Sequence, residues 1–397
     1  MLEDPQDAAS RDGPRIFFLA GEVSGDVQAA HLARALRGRL PRADLVGLGG
    51  PRMAEAGVWV LQDTSSWGVV GYLEAYVRVP VFAVRLQRVV ALVRRLRPDL
   101  LVLVDFPGFN VFVARALSRS VRTVYYFPPM AYGRRGRRAA VLARLPVRVL
   151  VTFPFELEAY QREGADVVFV GHPAVDLTKP TQSREDLCRE LGLDARRPLL
   201  ALLPGSRAQE VRTLLPVQAG AYELLRRRLP ELQAAVGLAS DRLRPLTAAL
   251  LRAASASVPA ATGLTHDLLA HADCALVASG TATLEAALLG TPMVVVYRVS
   301  KATEWIARQV ATVPWVGLPN LLAGRAVVPE LLQDQARPDR VAEAAWPMLA
   351  DPEVAARVRA DLVEVRDRLG PPGALQRAAD ELVRWAGFGA GGEHGVP

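Results

Sequence analysis

Short, unbroken apolar runs recur along the 397-residue chain, each ending in a turn rich in Gly, Ser or Pro and followed by helical periodicity. Arg15-Ile16-Phe17-Phe18-Leu19-Ala20 runs into Gly21-Glu22-Val23-Ser24-Gly25-Asp26, and residues 27–40 then carry a helical pattern. Leu45-Val46-Gly47-Leu48 follows and leads into Gly49-Gly50-Pro51. Strand, turn, helix and strand make a βαβ unit, which calls for a parallel sheet with its ligand crevice at the carboxyl ends of the strands. Runs at 100–104, 123–127, 147–153 and 167–170 extend the same plan. Around 176–197 the pattern gives way to a proline-containing connection and a short helix, after which a second alternation begins at Leu199-Leu200-Ala201-Leu202-Leu203. The expected fold is therefore α/β with two parallel-sheet domains, 14–176 and 177–386, between loose tails at 1–13 and 387–397. Residues 339–385 read as helical, broken at Gly370-Pro371-Pro372-Gly373, with the last segment expected to fold back across the first domain.

Candidate site residues stand at the ends of these runs. Asp273-Cys274-Ala275-Leu276-Val277-Ala278 reads as a buried strand that passes through Ser279 and Gly280 into a helix carrying Thr281 and Glu285. Such a turn directs backbone N–H groups and the positive end of a helix dipole at one point, which suits a phosphate or a pyrophosphate. Glu285, about one turn into the helix, is placed to accept hydrogen bonds from paired sugar hydroxyls. A plain Ser/Thr-capped helix with a solvated Glu would have the same pattern. After the 199–203 run, Gly205, Ser206 and Arg207 open another helix, and Arg207 offers paired donors to a departing diphosphate. In the first domain, Leu100-Leu101-Val102-Leu103-Val104 ends at Asp105. A carboxylate there faces the crevice, where loss of water raises its pKa toward that of a useful base, although Asp also caps helices after such strands. His172, in a Gly-His-Pro turn, either orients a ligand or hydrogen-bonds the domain junction.

The net charge of +7 and pI near 9.8 invite comparison with nucleic-acid binders. The basic residues are widely spread, however, and all but Lys179 and Lys301 are Arg, with no recognition motif, so no nucleic-acid partner is expected. A basic surface still favours an anionic substrate or membrane. Residues 67–97 interleave apolar side chains with Arg78, Arg85, Arg88, Arg94, Arg95 and Arg97, a pattern that serves either an interfacial helix on an anionic bilayer or helices packed on the sheet. Arg134, Arg135, Arg137 and Arg138 likewise read as an anion-binding cluster or a solvated helix start. Cys188 and Cys274 have no metal-ligand spacing, the five histidines form no cluster, and Asp-x-Asp is absent, so neither a metal nor another cofactor is expected. The polar N-terminus is not a signal peptide and no uncharged apolar run approaches ~18 residues, which places the protein in the cytoplasm with peripheral membrane contact admitted.

Seven motifs in order give the chain a family likeness: residues 20–26, 46–53, 68–74, 169–173, 202–207, 278–285 and 318–322. Together they resemble lipid-A-disaccharide synthase over roughly residues 15–385. The resemblance implies a GT-B fold, two Rossmann-like domains facing each other across a cleft, with the sugar nucleotide on the second and the acceptor on the first. It also implies an inverting, metal-independent transfer of 2,3-diacylglucosamine from a UDP-acylated glucosamine donor to a lipid monosaccharide phosphate acceptor, 2,3-diacylglucosamine 1-phosphate. Asp105 falls on the family's catalytic carboxylate, and Glu22 and Ser24 on its first glycine motif. Gly205, Ser206, Arg207 and Asn320 fall on active-site positions, and Ser279, Gly280, Thr281 and Glu285 on the nucleotide motif. An oligomer is compatible with this reading.

The likeness departs at Phe127-Pro128-Pro129-Met130-Ala131-Tyr132-Gly133, where the family usually has Ser-Pro followed by Trp-Ala-Trp. The change falls on the acceptor side and keeps a UDP-sugar transferase with another lipid acceptor as an alternative. A UDP-sugar 2-epimerase and a nucleotide-sugar binding protein without turnover complete the alternatives.

Overall fold

The computed structural model describes residues 12–65, 67, 79–131, 136–254, 256–298 and 315–388. The motif at 68–74 and Arg134 and Arg135 lie outside the described residues, as do Tyr132 and Gly133 and the side chains of Arg137 and Arg138. The chain divides into two compact units, one of Met1–Pro173 with Pro371–Pro397 and the other of Ala174–Gly370.

Among the described residues, the first unit carries a parallel sheet of seven strands in the order β3-β2-β1-β4-β5-β6-β7. These are β1 (Arg15–Ala20), β2 (Asp44–Gly49), β3 (Trp59–Asp63), β4 (Leu100–Val104), β5 (Thr123–Tyr126), β6 (Val147–Val151) and β7 (Val167–Phe169). Both faces of the central strands are covered, so β1 and β4 are buried along their whole length, as their unbroken apolar sequences require. The order reverses between β1 and β4, which pair in register from Ile16 opposite Leu100 to Ala20 opposite Val104. Parallel strands whose connections leave in opposite directions open a crevice at their carboxyl ends, and in this unit that position is the β1/β4 pair.

On one face, the helix Val23–Arg39 packs with the C-terminal helix Ala374–Ala386, whose Ala378, Ala379 and Leu382 complete the core beside Ile16 and Phe18. The other face is covered by helices that include Val79–Leu96 and Pro107–Leu117. The Val79–Leu96 helix buries Val89, Val93 and Leu96 against the sheet while leaving Val81 and Val84 almost half exposed, at 47% and 46%. Thus part of the 67–97 segment is a packed helix with an apolar outer edge.

The second unit carries, among the described residues, a parallel sheet of six strands in the order β10-β9-β8-β11-β12-β13. They are β8 (Leu199–Leu203), β9 (Gln233–Leu238), β10 (Ala260–Thr262), β11 (Cys274–Ala278), β12 (Met293–Tyr297) and β13 (Glu330–Leu332). Here the order reverses between β8 and β11, again creating a carboxyl-end crevice. The stretch at 317–325 is not simply a turn beyond the last strand. It holds the helix Leu318–Ala323, ended by Gly324 in the left-handed region at φ 69°, and β13 follows it. The C-terminal helical region is also broken once more, at Asp351, whose carboxylate accepts from the N–H groups of Glu353 and Val354 and so caps the helix Pro352–Arg368.

Candidate active site

Asp105 is the first residue beyond β4 and sits at the reversal of the first sheet. Its backbone and that of Phe106 are both left-handed, at φ 52° and 50°. Two consecutive non-glycine residues there cost about 1–2 kcal/mol each, which the surroundings must hold in place. The Asp105 N–H donates to Tyr126 O at 3.0 Å. Its C=O accepts from Asn110 Nδ2 and from the Tyr125 hydroxyl, both at 2.9 Å. The side chain is fixed separately, by Ser24 Oγ donating to Oδ2 at 2.8 Å.

That hydroxyl comes from the first turn of the helix Val23–Arg39, for which half-buried Glu22 is the N-cap. Gly21, just before it, is demanded by space. A Cβ there would lie 2.1 Å from the Phe106 ring. Phe106 stacks on Phe109 at 5.4 Å between centroids, and Phe109 meets Trp67 and Phe82 edge-on, so the residue after Asp105 is anchored in an aromatic cluster. Burial raises the Asp105 pKa above the ordinary carboxylate value and outweighs the Ser24 hydroxyl and Phe106 N–H, which lower it. A carboxylate with its pKa raised is a stronger base than a free one.

The motifs at 20–26 and 46–53 meet through Asp26. Its buried carboxylate accepts from the N–H groups of Gly50, Arg52 and Met53 at 2.8, 3.0 and 3.0 Å, which caps the short helix Pro51–Glu55 from a neighbouring element. His172 is buried against the rings of Phe127 and Phe153, at 5.6 and 4.8 Å. Loss of water brings its pKa down to about 3, so it is neutral at physiological pH. Phe127, where the sequence departs from the family pattern, is itself left-handed at φ 52° and lies edge-on to Tyr126 at 4.7 Å.

In the second unit Gly205, Ser206 and Arg207 follow the end of β8, and Ser279, Gly280 and Thr281 follow the end of β11. Gly280 adopts φ 154°, ψ −161° as the N-cap of the helix Thr281–Leu288, a conformation open essentially to glycine alone. Ser279 Oγ donates to Val316 O at 3.0 Å, and Thr281 is exposed at the helix start. Glu285 faces His266, with Oε2 3.7 Å from Nε2, and this partner raises the His266 pKa.

Beyond β8, the turn differs from the open donor set read in the sequence. Glu210 Oε2 accepts from the N–H groups of Ser206 and Arg207 at 2.9 and 3.1 Å, and its Oε1 lies 3.2 Å from Arg207 Nη1. A carboxylate thus occupies the anion-binding end of the helix Ala208–Arg228, whereas the Arg207 side chain is 62% exposed. The signal for Glu210 is its place three residues after the N-cap, where a capping-box acid belongs.

Asn320 is buried and its amide is fully used. Oδ1 accepts from the N–H groups of Val327 and Val328, while Nδ2 donates to Val328 O and Glu330 Oε1. Glu330 also accepts from the N–H groups of Val316 and Gly317. Asn320 and Glu330 therefore shape the loop that meets Ser279, and no sequence motif distinguishes Glu330.

A model of the lipid-A-disaccharide synthetase family matches residues 16–376. The lipid-A-disaccharide synthase of Geobacter sulfurreducens is 38% identical over 374 residues, covering 94% of this chain and 97% of that protein. Among solved structures, CalG4, the calicheamicin glycosyltransferase, is similar with a TM-score of 0.56 at 18% identity, over 96% of this chain and all of that one (100%). The UDP-GlcNAc 2-epimerase from Neisseria meningitidis bound to UDP-GlcNAc is similar with a TM-score of 0.61 at 11% identity, over 93% and 99% of the two chains. These likenesses to solved structures show the fold, the two-domain Rossmann-like GT-B type.

Proposed function

Since the chain belongs to the lipid-A-disaccharide synthase family, and is thus a glycosyltransferase of lipid A synthesis, we propose that it catalyses an inverting, metal-independent transfer of 2,3-diacylglucosamine from its UDP adduct to 2,3-diacylglucosamine 1-phosphate. The observation that carries the reading is the Asp105 carboxylate at the β1/β4 reversal, held by Ser24 and raised in pKa by burial. Asp105 takes the proton of the acceptor hydroxyl as its oxygen attacks the anomeric carbon. The bond from that carbon to the diphosphate breaks, its electron pair leaves with UDP, and single displacement gives a β-1,6 disaccharide.

The leaving diphosphate gathers negative charge as this bond breaks. Arg207, the turn Gly205-Ser206, and the Ser279-Gly280-Thr281 helix start supply positive charge and N–H donors on the second unit. With those donors, and no Asp-x-Asp in the sequence, the reaction is assigned no metal. Glu285 is the acceptor for the ribose hydroxyls of UDP, and Asn320 acts by shaping the loop at Val316 and Gly317 through Glu330. Since Glu210 holds the Ser206 and Arg207 N–H groups, its carboxylate yields them when the diphosphate binds.

Among the described residues no helix is long and apolar enough to cross a membrane. The acylated substrates place the reaction at a bilayer surface, and the exposed Val81 and Val84 on an arginine-bearing helix, with Phe112 44% exposed nearby, support peripheral contact at the cytoplasmic face. The test is UDP release in the presence of the two acylated glucosamines. Release that requires both substrates and is lost in Asp105→Asn is the expected result; release indifferent to that substitution contradicts the role given to Asp105.

A further inference from the structure

Each unit buries one side-chain amide beneath the point where its strand order reverses. In the second unit, Gln218 Nε2 donates to Leu203 O at the end of β8 and Leu276 O in β11, at 3.2 and 3.0 Å. In the first, Asn110 Nδ2 lies 3.3 Å from Leu19 O of β1 and 3.3 Å from Val104 O of β4. Both amides are fully buried and tie the two strands that flank the crevice. The orientation of Asn110 is fixed by chemistry, since carbonyl oxygens only accept and so must face its NH2 group.

Asn110 does something Gln218 does not. It makes a third contact, at 2.9 Å, to the carbonyl of Asp105, the left-handed residue beyond the strand. Tyr125, buried on the neighbouring β5, reaches the same carbonyl with its hydroxyl at 2.9 Å. Two donors from two elements therefore converge on one carbonyl oxygen in a backbone conformation that L-residues disfavour. Rotation of that peptide toward the ordinary β region would swing the Asp105 side chain off Ser24 and abandon both donors.

We propose that Asn110, together with Tyr125, is a positioning residue that holds the Asp105 backbone left-handed and thereby aims its carboxylate at the acceptor hydroxyl. The inference rests on the reading of Asp105 as the base. Neither residue touches the reacting atoms; each acts through the Asp105 carbonyl. Their loss lets the carboxylate turn toward water, where it is a weaker base in a poorer position.

The test uses the full chain, with UDP release from UDP-2,3-diacylglucosamine and 2,3-diacylglucosamine 1-phosphate read as a function of pH. Asn110→Ala is expected to lower kcat about 100-fold and Tyr125→Phe about tenfold, with acceptor KM changed by less than about twofold. In both, the acid limb of the kcat profile is expected to move to lower pH as Asp105 regains water. Tyr125→Phe removes a single oxygen and carries the test should Asn110→Ala fail to fold. An unchanged kcat, or a lowered kcat with an unmoved acid limb, overturns the proposal and leaves these residues a purely structural role. Asp105→Asn separates the two levels. Full turnover in that variant overturns the base assignment itself, whereas an inactive Asp105→Asn beside fully active Asn110→Ala and Tyr125→Phe overturns only the positioning role.

Discussion

Ser24 Oγ donates to Asp105 Oδ2 at 2.8 Å, joining the first turn of a helix to the residue just beyond a central strand. This bond favours the ionised carboxylate, while burial favours the neutral one and prevails. Ser24→Ala removes the opposing influence, so the Asp105 pKa rises further. The acid limb of kcat/KM is expected to move to higher pH, with a loss of activity that is largest at low pH and shrinks as pH rises. A pH–rate profile that leaves the limb in place contradicts the pairing.

Asp105→Asn is expected to lower kcat by about 10²–10⁴-fold, the span of a lost general base. The same change should raise Tm at neutral pH. A carboxyl whose folded pKa lies above its unfolded value binds its proton more tightly when folded, so the wild type is penalised as pH rises through the folded value. The Tm advantage of the Asn variant should therefore shrink on acidification and disappear below about pH 3, where the carboxyl is protonated in both states. Thermal unfolding of both proteins across pH checks this; a wild type that is the more stable at neutral pH opposes it.

On the donor side, Gly280→Ala forces a Cβ onto a φ of 154°. Apart from the two chain neighbours, no atom of the described residues lies within 4 Å of that Cβ, so the effect is conformational rather than steric. UDP affinity, measured by calorimetry, should fall about tenfold or more, for a strain of about 1–3 kcal/mol. Unchanged affinity would remove the 279–281 turn from the nucleotide site.

His266 holds its proton more tightly in the folded chain because Glu285 lies beside it. The stabilisation from this pair is complete below the ordinary His value of 6.5 and is lost as pH rises through the higher folded value. His266→Gln should thus lower Tm at about pH 6 and have little effect above about pH 8. Glu285→Gln should weaken UDP binding about tenfold at either pH, since charge-assisted hydrogen bonds to the ribose are weakened. A Tm difference that grows with pH would refute the pairing.

The central strands were legible because strands buried on both faces must be apolar throughout, as in 100–104 and 274–278. Of the edge strands, β7 was legible as the run at 167–170, whereas β3, β10 and β13 were not. Each pairs on one side only and is largely part-exposed, so Trp59–Asp63, Ala260–Thr262 and Glu330–Leu332 need no apolar run. The Leu318–Ala323 helix was hidden by its flanking Gly317-Leu318-Pro319 and Gly324, which punctuate a short helix as readily as a turn. The place of Asp105, directly after a central strand, was readable from the apolar run at 100–104. Asn110, Tyr125, Glu210 and Glu330 were not singled out, because their work is done on backbone groups supplied by other residues. Only folding brings those groups to them.

Mass spectrometry of the products formed from UDP-2,3-diacylglucosamine, with and without 2,3-diacylglucosamine 1-phosphate, tests the assignment most directly. The predicted result is UDP together with a β-1,6-linked tetraacyl disaccharide 1-phosphate, formed only when both substrates are present and lost in Asp105→Asn. A C2 epimer of the UDP-sugar appearing without acceptor, or UDP-sugar that is bound but never turned over, would contradict it.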